Sequence, residues 1–349
     1  MIKQITRAVF RSYYNSVEKF IDHPHATQEK ILNYLLEHGR NTRYGSEHQF
    51  DEIRSVSDFQ RRVPVTTYED LRPYLNKIIR EKERNVLWDS PVKWFAMSSG
   101  TTEDKSKYIP VTRESLQHCH YRCGYHMLGL YANSYPDTEF FLGKTLVLGG
   151  SKQVNSIGNS TFTGDISAIL MKNLPAIVKL ARTPERIALL PDWEEKLKRL
   201  SEYAKGADIR ALLGVPSWML VLLKKISEET GKELPELWKN LEVFFHGGVS
   251  FTPFRQQYER LIPSARMRYW ETYNASEGFF GVQFSDRSNE MLLLLDNEVY
   301  YEFLPVGEWD KVSPQTVTLS EVEVGKQYAL VISTSGGLWR YKIGDTIEF

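Results

Sequence analysis

The sequence predicts an α/β fold, with mixed or parallel sheets flanked by helices and a β-rich, barrel-like part at the end. Three observations predict it. From Val92 onward, short apolar runs alternate with segments of helical period, the pattern of strands and crossover helices around a largely parallel sheet. Small or turn-forming residues follow each of these runs. After about Phe279 the helical pattern stops, and β-branched and aromatic runs replace it.

The residues before about 90 read as helical, with Ile31, Leu32, Leu35 and Leu36 at helical spacing. Val63-Pro64-Val65-Thr66-Thr67 interrupts that run, and the next helix is expected near Tyr68. Strands are expected at Val92–Met97, Lys144–Leu148, Ile209–Leu213, Leu241–Phe245 and Met267–Glu271. Helices are expected near 113–132, 165–181, 192–204, 217–230 and 252–262. The later segments Glu298–Phe303, Thr316–Leu319, Tyr328–Thr334 and Trp339–Ile343 read as strands of a small antiparallel sheet or barrel. No linker-like composition separates these parts. One composite domain over 1–349 is therefore expected, with a helical start (1–90), an α/β core (91–278) and a β-rich subdomain (279–349).

Composition excludes several classes of function. The chain has 349 residues, with 44 basic and 44 acidic side chains and hence no formal net charge. A chain of this length can bury roughly three quarters of its unfolded surface without metal or disulfide staples. Zero net charge argues against a field that gathers nucleic acid or anionic lipid. The two cysteines, Cys119 and Cys123, exclude a disulfide scaffold and fit a reducing, cytoplasmic setting. The start, MIKQITRAVFRSYYNSV, lacks a secretory pattern. The longest apolar runs, Trp218–Leu223 and Met291–Leu295, are too short to span a bilayer.

The residues past the expected strands are Ser98-Ser99-Gly100, Gly149-Gly150-Ser151, Gly214-Val215-Pro216-Ser217, Gly247-Gly248 and Asn274-Ala275-Ser276. Ligands of open α/β sheets bind outside the carboxyl ends of the strands. Ser98–Lys107 reads SSGTTEDKSK, supplying hydroxyls, a glycine and two lysines after a strand. Polyphosphate binding needs such donors and a cation. The segment is not a GxxxxGK[ST] loop, because Lys105 holds the second glycine position. A hairpin whose tip wraps phosphates fits, and so does a plain solvated turn. YNASEG at Tyr273–Gly278 can stack a base and place one carboxylate, or it can start a helix with Glu277 complementing the dipole. RYKIGD at Arg340–Asp345 offers a carboxylate to vicinal hydroxyls, or forms a surface turn. His118, Cys119, His120, Cys123 and His126 invite a zinc reading. However, Leu116, Cys119, His120, Cys123, Met127 and Leu130 share one helical stripe, as core residues do. No GxGxxG follows a strand, and no GxSxG or HExxH is present.

SSGTT followed by Lys107, then YNASE at 273–277, then Y-K-x-G-D at 341–345, resemble the three nucleotide-binding motifs of adenylate-forming enzymes. The match is closest to the auxin-responsive Gretchen Hagen family of acyl-acid–amido synthetases, with its SSGTT, Y-x-A-S-E and Y-R-x-G-D signatures. The resemblance runs from about Val92 to the last residues, and Val215-Pro216-Ser217-Trp218 and Phe245-His246-Gly247-Gly248 also look like that family. It implies two steps: a carboxylic acid attacks the α-phosphorus of ATP, and an amine, usually an amino acid, then attacks the acyl adenylate. Ser98, Ser99, Gly100, Thr101, Thr102 and Lys107 would hold phosphates. Tyr273 would lie against adenine, Asn274, Ala275 and Ser276 would also contact the nucleotide, and Gly247 and Gly248 would allow close packing on the base. Glu277 would carry Mg²⁺, and Asp345 would hold the ribose hydroxyls. Lys107 and Glu277 are thus the catalytic candidates. The acyl pocket is expected near Tyr121, Tyr125, Val215 and Trp218. The resemblance implies small-molecule partners only, with no nucleic acid or membrane, and a monomer or weak oligomer.

Three features depart from the pattern. Glu103-Asp104 stands where many relatives keep a glycine, and Lys342 replaces the usual arginine, for which Arg340 is expected to substitute in part. The four positive side chains Lys105, Lys107, Arg340 and Lys342 are expected to gather at one site. The family pattern also continues into a smaller C-terminal lid domain, which this sequence, ending four residues past Asp345, does not contain. The expectation is therefore a large domain cut at its hinge or naturally without a lid. An acyl-CoA-type ligase and a non-catalytic nucleotide or acyl-acid binding module are the alternatives.

Overall fold

A computed structural model describes residues 2–98, 106–150, 154–157, 161–285 and 290–349. In chain order its strands are β1 (Trp94–Ser98), β2 (Lys107–Val111), β3 (Lys144–Leu148), β4 (Asn155–Ser156), β5 (Phe162–Gly164), β6 (Ile209–Gly214) and β7 (Val243–Gly247). They continue as β8 (Arg268–Asn274), β9 (Phe279–Gln283), β10 (Met291–Leu293), β11 (Val299–Pro305), β12 (Gln327–Thr334) and β13 (Tyr341–Glu348). Three sheets result, ordered β2-β1-β5-β4, β10-β9-β8-β7-β6-β3 and β11-β12-β13.

The six-stranded sheet is the parallel sheet that the alternating pattern predicts. β3, β6, β7 and β8 run parallel, and β9 and β10 add an antiparallel edge. Strand residues alternate between two covered faces, as a sheet flanked by helices requires. Phe245 and Trp270 meet Tyr131 edge-on at 5.2 and 5.4 Å. Phe244 stacks on Tyr258 at 5.1 Å on the other face. Phe279–Gln283 and Met291–Leu293 therefore extend this sheet, and the separate three-stranded sheet begins at Val299.

The helical start comprises Ile2–Asp22, Pro24–Gly39, Val56–Arg62 and Tyr68–Asn76 among its longer helices. The last begins where expected, because the Asp70 carboxylate accepts the Thr67 backbone N–H at 2.8 Å. The interruption before it has a partner: Thr66 N–H donates to the Arg340 carbonyl, and Lys342 N–H to the Thr66 carbonyl, both at 2.8 Å. The helix expected over 165–181 is split into Ile166–Asn173 and Ala176–Leu180, since Pro175 between them has no N–H to continue the ladder. Thr316–Leu319 forms only one bridge, Val317 to Phe303, rather than a strand. Pro216 opens the helix Pro216–Thr230, a position where its missing N–H costs nothing.

The stripe that competed with zinc is a core face. Leu116, Cys119, His120, Cys123, Met127 and Leu130 are all buried. Among the described residues no group of three or more potential ligands could hold a metal ion. Nor is any described helix long and apolar enough to cross a membrane.

Candidate active site

The first motif begins at Ser98, the last residue of β1. β1 and β2 pair antiparallel, with Ser98 opposite Lys107 on the last rung. Ser99, Gly100, Thr101, Thr102 and Lys105 lie outside the described residues. Lys107 is half-buried, and its Nζ sits 5.9 Å from the centroid of the Tyr68 ring. The Tyr68 hydroxyl accepts the Tyr108 N–H at 3.0 Å, so the base of the hairpin rests on the helical start.

The second motif is a hairpin end, not a helix start. β8 turns into β9 through residues 275–278, and the Ala275 N–H donates to the Gly278 carbonyl at 2.8 Å. Three side chains hold the residue just past the turn. Cys119 Sγ accepts the Phe279 N–H at 3.3 Å, Cys123 Sγ donates to the Phe279 carbonyl at 3.3 Å, and Asn297 Nδ2 donates to the same oxygen at 2.9 Å. The helical segment that follows β2 thereby fixes the turn carrying Glu277.

The third motif ends in a bulge. Between the pairs Ala329–Thr346 and Val331–Lys342 the register of β13 shifts, and Gly344 takes φ +105°. Only glycine adopts that backbone readily. The bulge sets Asp345 beside the second motif, where Asp345 Oδ2 accepts the Tyr273 hydroxyl at 2.7 Å. Motifs separated by 72 residues therefore meet side chain to side chain.

Ser98, Gly248, residues 273–276 and Asp345 line a cleft of about 950 Å³, together with Asp165, Glu271 and Trp218, whereas Lys107 and Glu277 are not among its lining residues. Burial pushes the Glu277 carboxyl up, a bond from its own backbone and the charge of Lys107 draw it down, and Asp345 pushes it up again. Burial, reinforced by the bond to Asp345, also raises the Tyr273 phenol. Glu277, with the charges of Lys107 and Asp345 acting on it, has the carboxylate that a cation such as Mg²⁺ would need from the protein when other oxygens complete its shell.

The remaining expected residues divide. Trp218 lines the cleft and is 40% exposed. A Cβ added at Gly248 would lie 3.5 Å from Val215 Cγ2, which puts Val215 at the same rim. At Gly247 an added Cβ would lie 2.4 Å from the Thr272 carbonyl oxygen, so its small size serves the approach of β8. Tyr121 instead donates to the Leu170 carbonyl at 2.8 Å, and Tyr125 stacks on Tyr13 at 4.9 Å. Neither lines this cleft.

The expected gathering of cations is not met at Arg340. Its guanidinium is buried and donates to both oxygens of Glu302, at 2.9 and 3.1 Å, and to the Gln60 and Val63 carbonyls. It is committed to the interior, because a buried charge must be paired where it sits. It therefore cannot stand in for the arginine that Lys342 replaces, and Lys342 itself does not line the cleft.

Sequence reasoning missed Asp165 and Lys196. Asp165 lines the cleft just before the helix Ile166–Asn173. Lys196 is fully buried and donates to the Gly150 carbonyl at 2.8 Å. The signal was a lysine on the same helical stripe as Leu200 and Ala204. Burial lowers its ammonium, and Asp165 counteracts that.

Residues 13–267 match the GH3 family N-terminal domain, and residues 292–349 match the GH3 family central domain. The chain belongs to the GH3 family. It is 24% identical over 395 residues to indole-3-acetic acid-amido synthetase GH3.4 of Arabidopsis thaliana, covering 95% of this chain and 66% of the relative. It is 22% identical over 390 residues to jasmonoyl-L-amino acid synthetase JAR4 of Nicotiana attenuata, covering 92% and 66%. The chain thus spans 66% of the length of these two curated relatives. Among solved structures, the GH3.15 acyl acid amido synthetase in complex with 2,4-DB superposes with a TM-score of 0.78 at 19% identity, over 99% of this chain and 68% of that one. A 2-hydroxyisobutyryl-CoA ligase superposes with a TM-score of 0.58 at 15% identity, over 92% and 68%. The GH3 chain therefore has the fold of adenylate-forming enzymes, as its motif order predicts.

Proposed function

We propose that this GH3 chain carries the ATP- and acid-binding part of an acyl-acid–amido synthetase. A carboxylate oxygen attacks the α-phosphorus of ATP, the bond to the bridging oxygen breaks, and pyrophosphate leaves. The nitrogen of an amine, an amino acid by analogy with the relatives' names, then attacks the acyl carbon. AMP departs, and the amine loses a proton. The observation carrying this reading is the bond between Tyr273 and Asp345 at the edge of the cleft, with Ser98 among its lining residues.

The chain's part in such chemistry is positioning and charge. The β1–β2 hairpin, with Ser98 and Lys107 at its base, presents donors to the polyphosphate. Tyr273 lies against the adenine. Asp345 keeps one carboxylate oxygen for the ribose while the other accepts the Tyr273 hydroxyl. Glu277 would hold Mg²⁺, whose charge neutralises phosphate oxygens. Asp165 and Trp218 border the space left for the acid and the amine.

Carboxylate-dependent exchange of labelled pyrophosphate into ATP tests the reading. Glu277→Ala should lower the Mg²⁺-dependent rate by at least tenfold, and Asp345→Ala should weaken AMP binding by a similar factor. Unchanged nucleotide affinity in both variants would refute the site. Comparing amino acids with coenzyme A as acceptors separates the amido synthetase from the acyl-CoA ligase, and nucleotide binding without exchange marks a binding module.

A further inference from the structure

A second cavity, of about 450 Å³, lies at the start of β1, the end of that strand opposite Ser98. It shares no lining residue with the nucleotide cleft. Two donors on residues that line it have no acceptor among the described residues: the Lys82 ammonium and the Trp88 indole N–H. Both atoms are withdrawn from solvent. A buried cation or donor without a partner is destabilising, and native structures resolve such orphans with an ion or a ligand.

The charge around them is mainly positive. Lys82, Arg84 and Lys93 line the cavity against a single carboxylate among the described residues, Glu83. That carboxylate is already engaged, by Arg43 at 2.7 Å and Lys77 at 3.9 Å. The wall is held in place from outside. The Asn85 and Val86 carbonyls accept the Arg43 and Tyr44 N–H groups at 2.8 and 3.0 Å. The Trp88 ring is held by His38 at 5.4 Å. Lys82 and Asn85 both adopt left-handed backbone, φ 59° and 54°, a conformation that costs a non-glycine residue energy and clusters at ligand clamps. Ile78 and Val92 supply apolar wall.

We infer that this cavity binds a small organic anion. Its carboxylate or phosphate group is taken by the Lys82 ammonium and the Trp88 N–H, and its apolar part rests on Ile78 and Val92. The volume is that of an ordinary small-molecule site. A charge-assisted bond in a desolvated wall carries most of the recognition.

Calorimetry and thermal-shift titration of the full chain with inorganic phosphate, succinate and benzoate, at fixed ionic strength, test this. At least one probe should bind saturably. Phosphate binding alone assigns a phosphorylated ligand, and binding of succinate or benzoate alone assigns a carboxylate. Lys82→Met should weaken that binding at least tenfold without lowering the Tm of the ligand-free protein, since it removes an unpaired buried charge. Trp88→Phe, which keeps a ring and loses only the N–H, should weaken it several-fold. Trp218→Ala, in the other cleft, should leave it unchanged. The inference is overturned by no saturable binding of any probe, by equal binding in Lys82→Met, or by loss of binding in Trp218→Ala.

Discussion

Arg340→Met removes one charge from a closed network, and the structure sets the cost. The Arg340 side chain is 3% exposed, and that of Glu302 1%. The guanidinium donates to Glu302 at 2.9 and 3.1 Å, to Thr316 Oγ1 at 2.7 Å, and to the Gln60 and Val63 carbonyls at 2.9 and 2.5 Å. Methionine refills much of the volume but leaves Glu302 buried without its cation. Removing one partner of such a pair costs about 3–5 kcal/mol. Unfolding entropy near 2.1 cal/mol/K per residue over 349 residues gives about 0.7 kcal/mol/K. The expected fall in Tm is therefore roughly 4–7 °C by calorimetry. Adding Glu302→Met to Arg340→Met should recover much of the loss, because no unpaired charge remains. The KM for ATP, measured well below both transitions, should stay within about twofold, a shift of under 1 kcal/mol. An unchanged Tm together with a tenfold rise in that KM would refute the reasoning and place the guanidinium on polyphosphate.

Two further perturbations test neighbouring parts. Tyr273→Phe removes a 2.7 Å bond to Asp345 and should weaken AMP binding by about three- to tenfold, the range for a partly exposed charge-assisted bond; equal affinity by calorimetry removes the phenol from the site. Burial lowers His246 to about 3 and His120 to about 4. Both stay neutral in the folded chain while the unfolded chain takes up protons below its ordinary value near 6.5. Stability should therefore fall as pH drops from about 6.5 to about 4, by up to about 1.4 kcal/mol per pH unit for each histidine. His246→Phe should flatten that slope by one proton in urea titrations, and an unchanged slope contradicts its burial as a neutral ring.

Much of this was legible because local rules and tertiary structure agree. Lys144–Leu148 is a strand with the bounds that its apolar run suggests. The helix after Thr67 starts where its capping acid places it. The five glycine- and serine-rich ends read from the sequence include four that contribute described residues to the cleft or its rim: Ser98, Val215, Gly248 and residues 274–276. What stayed hidden depends on distant partners. Arg340 looked like a free cation because its carboxylate is 38 residues away and its carbonyl partner at Gln60 is 280 away. Tyr121 and Tyr125 looked like pocket walls, since nothing local announces Leu170 or Tyr13 as their contacts. The turn at 275–278 read more readily as a helix start, because small residues and a glutamate suit either. Only the pairing of β8 with β9 decides it.

The attachment of the third motif to the helical start has a temporal consequence. Thr66 Oγ1 donates to the Trp339 carbonyl, a partner 273 positions along the chain, and Trp339 Nε1 donates to Leu87, 252 positions back. Ribosomal synthesis is vectorial, so the early helices wait, unsealed, for a strand made long after them. Long-range closures of this kind slow folding. During that interval the wall of the cleft that Asp345 completes does not yet exist, and the early part of the chain has no finished cleft to offer a ligand.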